Sequence, residues 1–437
     1  MKVTLLSTYH LNGGAGIAAT RLHRALLKSG VSSSLLTAQV TKPEPGVIGL
    51  ADTYLGRKWT SARFGLDRLS FVRYEKDKSV RFHFSPATIG ANLSEHPAIQ
   101  QADVLHIHWT NFGFLSLSGL EKLVQLGKPI VWTLHDQWAF TGGCHYTRGC
   151  TRFLTQCGQC PYLRKPGPND LSARVFARKA AILTPETNLH IVAPSKWMAD
   201  EAGSSQLLEW FPVSTIANTL DQTVFRPIDK QAALNRFGLT DTDRPRLLFG
   251  SFNTTDPRKG FQYFADALTL LHQQQPTATA DRAAADRLNP EILVFGKGQT
   301  DAMAALPYSI RELGVLTTDD DLVAAYNLAD ALVVPSLEDN LPNTVVESLS
   351  CGTPVVAFRT GGIPEMISQF KNGYLADVGS VPKLANGLAF ILNHPTPTDL
   401  RQNARQFAQK HFSEAVVAQK HVDLYALLKP QTIDLEP

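Results

Sequence analysis

Residues 2–38 read Lys2-Val3-Thr4-Leu5-Leu6-Ser7, then Asn12-Gly13-Gly14-Ala15-Gly16, a helical pattern from Ile17 to Ser29, the stop Gly30 and the run Ser33 to Ala38. An apolar run, a glycine turn, a helix and a second apolar run describe two parallel strands joined by a crossover helix. The pattern recurs downstream. Runs suited to buried strands follow at Val104 to His108, Pro129 to His135, Leu189 to Pro194 and Val213 to Ala217. A second series begins near Arg246, with strands expected at Arg246 to Gly250, Ile292 to Gly296, Ala331 to Pro335, Pro354 to Phe358 and Tyr374 to Ala376. Helices such as Phe261 to His272 and Leu322 to Leu328 lie between them. The expected class is α/β, with two doubly wound, Rossmann-like parallel-sheet domains.

A chain of 437 residues is long enough for two or three domains, and 43% hydrophobic residues give each a core, which excludes a disordered or collagen-like chain. The boundary is expected around Asn218 to Pro227, dividing the chain into 1–220, carrying an insertion at 43–100 and a cysteine-rich loop at 144–160, and 221–405. A helical segment, 406–437, ends the chain. The stretch Gln273 to Asn289 is compositionally biased and reads as a surface loop. A formal charge of +3 is too balanced for a nucleic-acid coat, so no nucleic-acid partner is expected. No apolar run approaches the roughly 18 to 20 residues of a membrane helix, and the expected location is the cytoplasm.

In open parallel sheets ligands bind beyond the carboxyl ends of the strands, so chemistry is sought there. Gly13 and Gly14 follow the first strand, where glycine lets the backbone approach a ligand and the next helix offers amides to an anion. Gly14-x-Gly16-x-x-Ala19 satisfies a dinucleotide fingerprint. The carboxylate which that fingerprint needs at the end of the second strand is absent from Ser33 to Lys42, which disfavours a nicotinamide enzyme. A tight turn without a ligand is the competing reading.

Pro335 to Pro354 is the richest segment of the second series. Asp339 precedes, and Glu347 lies within, a short helix opened by Pro342 and Asn343 or Thr344 and closed by Gly352. Carboxylates accept hydrogen bonds from sugar hydroxyls, and amides around Asn340, Leu341, Pro342, Asn343 and Thr344 suit a phosphate. Upstream, Arg258 and Lys259 in Asp256-Pro257-Arg258-Lys259-Gly260 are adjacent cations that could hold a diphosphate. Solvated loop charges are the alternative for each.

Taken together, Pro335-Ser336, Asp339, Glu347, Cys351-Gly352-Thr353-Pro354, Gly361-Gly362-Ile363-Pro364-Glu365 and Asn372-Gly373-Tyr374 resemble the signature of retaining glycosyltransferases of family 4. The resemblance extends through Lys259-Gly260, Asn218 to Asp221, Leu134-His135-Asp136 and the Gly13 to Gly16 loop. It implies a GT-B fold, in which two Rossmann-like domains face a cleft and the C-terminal helix crosses back to the first domain. It also implies sugar transfer from a nucleotide-sugar, GDP- or UDP-linked, with retention and without a catalytic metal or cofactor.

Carried over by position, the resemblance puts Glu347 on the nucleotide ribose, Asp339 and His135 on the sugar, and Lys259 on the diphosphate. Gly13 and Gly14 take the donor phosphate or the acceptor entrance. The chain departs from the family at Asp339, where Glu is usual, and in Ser251-Phe252-Asn253-Thr254, which lacks the customary Arg; Arg258 is the candidate to replace it. A nucleotide-sugar epimerase and a non-catalytic sugar-nucleotide binder are the rival classes on the same scaffold.

Cys144, Cys150, Cys157 and Cys160 have spacings that suit a structural zinc site, with His145 able to replace one thiolate; plain thiols and disulfides compete with that reading. Trp-Thr-Leu-His-Asp before clustered cysteines resembles glycosyltransferases of bacterial exopolysaccharide and colanic-acid assembly, which implies a saccharide or lipid-linked acceptor. Between Arg57 and Arg81, eight cations face three acids, with Trp59, Phe64, Phe71 and Tyr74 interleaved. Peripheral contact with an anionic membrane is one reading of that insertion, and a solvated helical face packed by its aromatics is the other.

Overall fold

A computed structural model describes residues 1–51, 53–242, 244–274, 288–298 and 301–428. Residues 275–287 of the biased stretch therefore lie outside the described residues. The chain divides into two compact units, Met1–Thr219 together with the chain from Val417 onward, and Leu220–Val416. Residues 406–416 thus group with the second unit.

The first unit holds a seven-stranded sheet built from β1 (Lys2–Ser7), β2 (Ser32–Thr37), β3 (Val47–Gly49), β4 (Val104–Ile107), β5 (Ile130–Thr133), β6 (Leu189–Ala193) and β7 (Val213–Thr215). Its order is β3-β2-β1-β4-β5-β6-β7, and every pairing is parallel. The order reverses between β1 and β4, the position where loops diverge to opposite faces and leave a crevice. Helix α1 (Gly13–Lys28) follows β1, and α2 (Tyr54–Val72) lies in the insertion after β3.

Both faces of this sheet are covered, so its strands read as continuous apolar runs rather than alternating ones. Side chains nonetheless alternate between two cores. Leu6, Leu105, Ile107, Ile130 and Trp132 enter one, while Val3, Leu5, Val104 and Val131 enter the other with Ala19, Leu22 and Leu26 of α1. Val417, Leu424 and Tyr425 of the last helix, Glu414–Leu428, complete that second core. Burying each such side chain contributes roughly 1.5–3 kcal/mol.

The second unit holds β8 (Arg246–Asn253), β9 (Glu291–Lys297), β10 (Ile310–Gly314), β11 (Ala331–Val334), β12 (Val355–Phe358) and β13 (Gly373–Ala376), in the all-parallel order β10-β9-β8-β11-β12-β13. Here the reversal falls between β8 and β11. The helix Phe261–Gln273 after β8 packs Phe261, Phe264 and Leu268 onto Leu247, Phe249 and Val333 of the sheet. The expected α/β class, with two doubly wound parallel sheets, is thus observed.

One boundary differs from expectation in a way that bears on function. Helix α1 begins at Gly13 rather than Ile17, so Gly13–Gly16 form its first turn. Gly13 takes φ +66°, a conformation natural to glycine, and a Cβ on Gly16 would stand 2.8 Å from the Tyr9 carbonyl oxygen. The helix start is thereby pressed against the end of β1.

Candidate functional site

In the second unit the switch between β8 and β11 brings two loops together. Leu337 N–H donates to the Arg258 carbonyl (2.8 Å) and Arg258 Nη1 donates to the Glu338 carbonyl (2.8 Å). Two glycines make this closeness possible. A Cβ on Gly260 would lie 1.9 Å from the Pro335 carbonyl oxygen, and one on Gly361 1.7 Å from that of Asp339; both residues have positive φ.

Across the junction Lys259 Nζ donates to Asp339 Oδ2 at 2.5 Å, with Arg258 Nη1 3.6 Å from the same oxygen and the Ser336 hydroxyl at 3.4 Å. Burial alone would raise the Asp339 pKa, but the two cations and the hydroxyl hold it below the usual carboxylate range. Burial lowers the Lys259 pKa against the pull of Asp339. Lys259 keeps 24% of its side chain exposed, so its amino group stays within a ligand's reach.

The helix Asn343–Ser350 starts two residues beyond Leu341, capped by Pro342 with no side-chain hydrogen bond. On its buried face Glu347 is 4% exposed and accepts from the Tyr326 hydroxyl at 2.7 Å. Asp339 and Asn340 are also buried. The structure therefore brings Arg258, Lys259 and Asp339 together, with Asn340, Leu341, Pro342, Asn343, Thr344 and Glu347 following on one loop and helix. Tyr326 was not singled out in the sequence, where a lone tyrosine in an Ala-rich helix carries no signal.

In the first unit the ends of β1, β4 and β5 are neighbours, which gathers Gly13 and Gly14, His108 and His135 at one edge of the sheet. His108 Nδ1 lies 2.9 Å from His135 Nε2. Asp136, beside His135, is a hub: its carboxylate accepts from Trp109 Nε1 (2.7 Å) and Trp138 N–H (2.9 Å) and binds His145 Nδ1 at 2.7 Å. Burial would raise the pKa of Asp136, yet His145 and these donors keep it low.

His145 is thereby occupied, since its Nε2 also meets the Ser85 hydroxyl at 3.3 Å, and it is no spare zinc ligand. The thiols of Cys144, Cys150, Cys157 and Cys160 lie near enough to disfavour one another's ionisation, although among the described residues no group of three or more His, Cys, Asp or Glu that could hold a metal ion is found. All four are free thiols; Cys157 Sγ accepts from Gly142 N–H at 3.1 Å, and burial pushes Cys157 up to about 11 and Cys160 to about 12. Sequence reading also missed Lys179, buried at this loop, where Nζ donates to the Trp138 and Thr141 carbonyls and sits over the Trp138 ring.

Four buried or half-buried imidazoles stack behind this edge. Burial pushes His106 and His108 well below the ordinary histidine value, and His135 and His421 down to about 4. All four are neutral at pH 7. The unfolded chain takes up these protons near pH 6.5, so it binds more protons than the folded chain between 6.5 and 4, and stability falls as pH falls through that window. Each of His135 and His421 should cost about 2 kcal/mol on going from pH 7 to 5. Urea unfolding at the two values checks this, and an unchanged midpoint would contradict neutral buried histidines.

Comparison with known proteins agrees with this architecture. A family model described as Glycosyltransferase Family 4 matches residues 12–223, and one described as Glycosyl transferases group 1 matches residues 244–394. The chain is a group 1 glycosyltransferase of the family 4 type. This glycosyltransferase is 26% identical over 379 residues to WcaC of Escherichia coli (strain K12), named for colanic acid biosynthesis; the match spans 82% of this chain and 83% of that protein. It is 23% identical over 430 residues to the D-inositol 3-phosphate glycosyltransferase of Jonesia denitrificans, covering 95% and 90% of the two chains. Among solved structures, sucrose-phosphate synthase from Thermosynechococcus elongatus shares the fold with a TM-score of 0.64 at 18% identity, over 98% of each chain. The two parallel-sheet units thus match GT-B glycosyltransferases, and the activity class is glycosyl transfer.

Proposed function

We propose that this glycosyltransferase is a retaining, metal-independent enzyme that moves a hexose from GDP- or UDP-sugar to a saccharide or lipid-linked saccharide, in the synthesis of a cell-surface polysaccharide. The observation that carries the reading is the Lys259–Asp339 pair at the β8/β11 switch, followed by the helix that carries Glu347. Its likeness to WcaC supports the polysaccharide setting.

In this reading Glu347 accepts from the ribose hydroxyls, the amides at the start of its helix meet the diphosphate, and Asp339 and His135 meet the sugar. Gly13 and Gly14 lie at the donor phosphate or the acceptor entrance. The bond between the anomeric carbon and the diphosphate oxygen breaks, and the acceptor oxygen attacks from the face the diphosphate leaves. The acceptor proton passes to the departing phosphate. Lys259, with Arg258 behind it, stabilises the charge growing on that group, an interaction stronger in the transition state than before it. NMR of the product formed from each nucleotide-sugar and a lipid-linked saccharide, with EDTA present, tests the proposal. An α-linked product from an α-linked donor is expected. Inversion, loss of activity with EDTA, or donor consumption without an acceptor would overturn it.

The insertion supports work at the inner face of a membrane. Helix α2 presents Leu55, Trp59, Leu66 and Leu69 to solvent on one face, with Leu55 78% and Trp59 60% exposed, while Asp67, Arg68 and Phe71 are buried opposite. Of the aromatics noted in the sequence, Trp59 alone is exposed. Arg68 is structural, donating to the Arg81 and Phe84 carbonyls and to Asp67 and Ser85. Arg57, Lys58, Arg73, Lys76 and Lys78 remain exposed, each worth about 1 kcal/mol near an anionic surface. Sedimentation with phosphatidylglycerol vesicles at low salt should show binding that Trp59→Ala weakens about tenfold. Equal recovery with phosphatidylcholine vesicles would count against it.

A further inference from the structure

Three buried polar atoms of the first unit have no hydrogen-bond partner among the described residues and belong to residues lining one small cavity. They are His108 Nε2 at the end of β4, Thr219 Oγ1 and His421 Nε2 on the last helix. Each residue is no more than 3% exposed. The cavity measures about 10 Å³ and is also lined by Ala18, Leu22 and Thr133. That is room for one water molecule, and a buried water is stable where two to four polar groups converge on it.

The neighbouring hydrogen bonds restrict what these atoms can do. His421 Nδ1 lies 3.0 Å from the Val417 carbonyl, which only accepts, so this nitrogen carries the proton. Being neutral, His421 then offers a lone pair at Nε2 and requires a donor. His106 is satisfied on both sides, by the Tyr425 hydroxyl at 2.6 Å and the Thr133 hydroxyl at 2.7 Å, and supplies none. His108 spends its Nδ1 on His135 Nε2 at 2.9 Å, which leaves its own Nε2 needing a donor or an acceptor according to its tautomer.

We propose that this cavity binds one water molecule, shared by His421, Thr219 and His108, and that this water positions His135 through His108. Water supplies two protons and two lone pairs, enough for all three atoms. One proton goes to His421 Nε2. The other proton and a lone pair serve His108 and Thr219. Between the two neutral rings of His108 and His135 there is one proton, so their tautomers change together. If water donates to His108 Nε2, His108 Nδ1–H donates to His135, whose proton then sits on Nδ1. The reverse choice at the water moves the His135 proton to Nε2. The last helix, in which His421 sits, is in this way coupled to the state of His135. His108, Thr219 and His421 are positioning residues, and only the consequence for turnover rests on the donor-site reading of His135.

The test combines a crystal structure resolving ordered water with nitrogen NMR of the full chain carrying ¹⁵N-labelled histidine. The wild-type protein should show one water within hydrogen-bonding distance of the three atoms. Thr219→Val should move the ring-nitrogen shifts of both His108 and His135, Thr219→Ser should restore them, and kcat should fall about tenfold with the donor KM unchanged in the valine variant. A dry cavity in a well-ordered crystal overturns the proposal, and so do unchanged nitrogen shifts in a folded Thr219→Val protein. Water and coupled shifts in a protein that transfers no sugar would uphold the site and refute only the role given to His135.

Discussion

Lys259→Ala is expected to lower kcat by about 10² to 10³-fold while leaving the protein folded. The lysine is the exposed end of a charge cluster whose inner members persist without it. Asp339 keeps Arg258 at 3.6 Å and the Ser336 hydroxyl, and the two loops stay joined through the Arg258 and Glu338 backbone contacts. What is removed is a preorganised cation aimed at charge that appears only as the diphosphate departs. Donor KM should therefore change far less than kcat. Steady-state kinetics beside a thermal melt checks both, and a variant retaining more than about a third of wild-type kcat would remove Lys259 from the chemistry.

Glu347→Gln is expected to weaken donor binding about 10- to 100-fold, since hydrogen bonds to an ionised carboxylate contribute about 1.5–3 kcal/mol. The glutamine carbonyl can still accept from the Tyr326 hydroxyl, so the buried contact at 2.7 Å survives and the melting temperature should move little. Glu347→Ala also deletes that acceptor and should cost a further 1–3 kcal/mol or so of folding stability. Calorimetric titration of the two variants separates binding from folding. Equal donor affinity in wild type and Glu347→Gln would place the ribose elsewhere.

Much of this is legible in the sequence. Strands such as Ala331–Val334 and Val355–Phe358 are buried on both faces, and a run of four apolar residues ending at Pro335 or Arg359 has few other uses. β10 was missed for the converse reason: it is an edge strand whose Arg311 and Glu312 are exposed, so it has no apolar signature. β3 is three residues long.

At the proposed site, Lys259, Asp339 and Glu347 stand out in the sequence by residue type and order. The ion pair between Lys259 and Asp339 was not, because it joins residues 80 apart through the pairing of β8 with β11. The pairing of His108 with His135 is hidden in the same way. The count of cations and aromatics between Arg57 and Arg81 does not tell which of them face solvent. Helical phase turns Phe71 and Arg68 inward and leaves Leu55, Leu66 and Leu69, which the count ignored, outside.

The central claim is that the loops after β8 and β11 form the nucleotide-sugar site. Calorimetric titration of GDP, UDP and their hexose conjugates into the full chain, alongside Lys259→Ala and Glu347→Gln, tests it most directly. Micromolar binding of one nucleotide class, clearly weakened by Glu347→Gln and only modestly by Lys259→Ala, is the predicted result. Binding that neither substitution disturbs, or none by a folded wild-type protein, would contradict it.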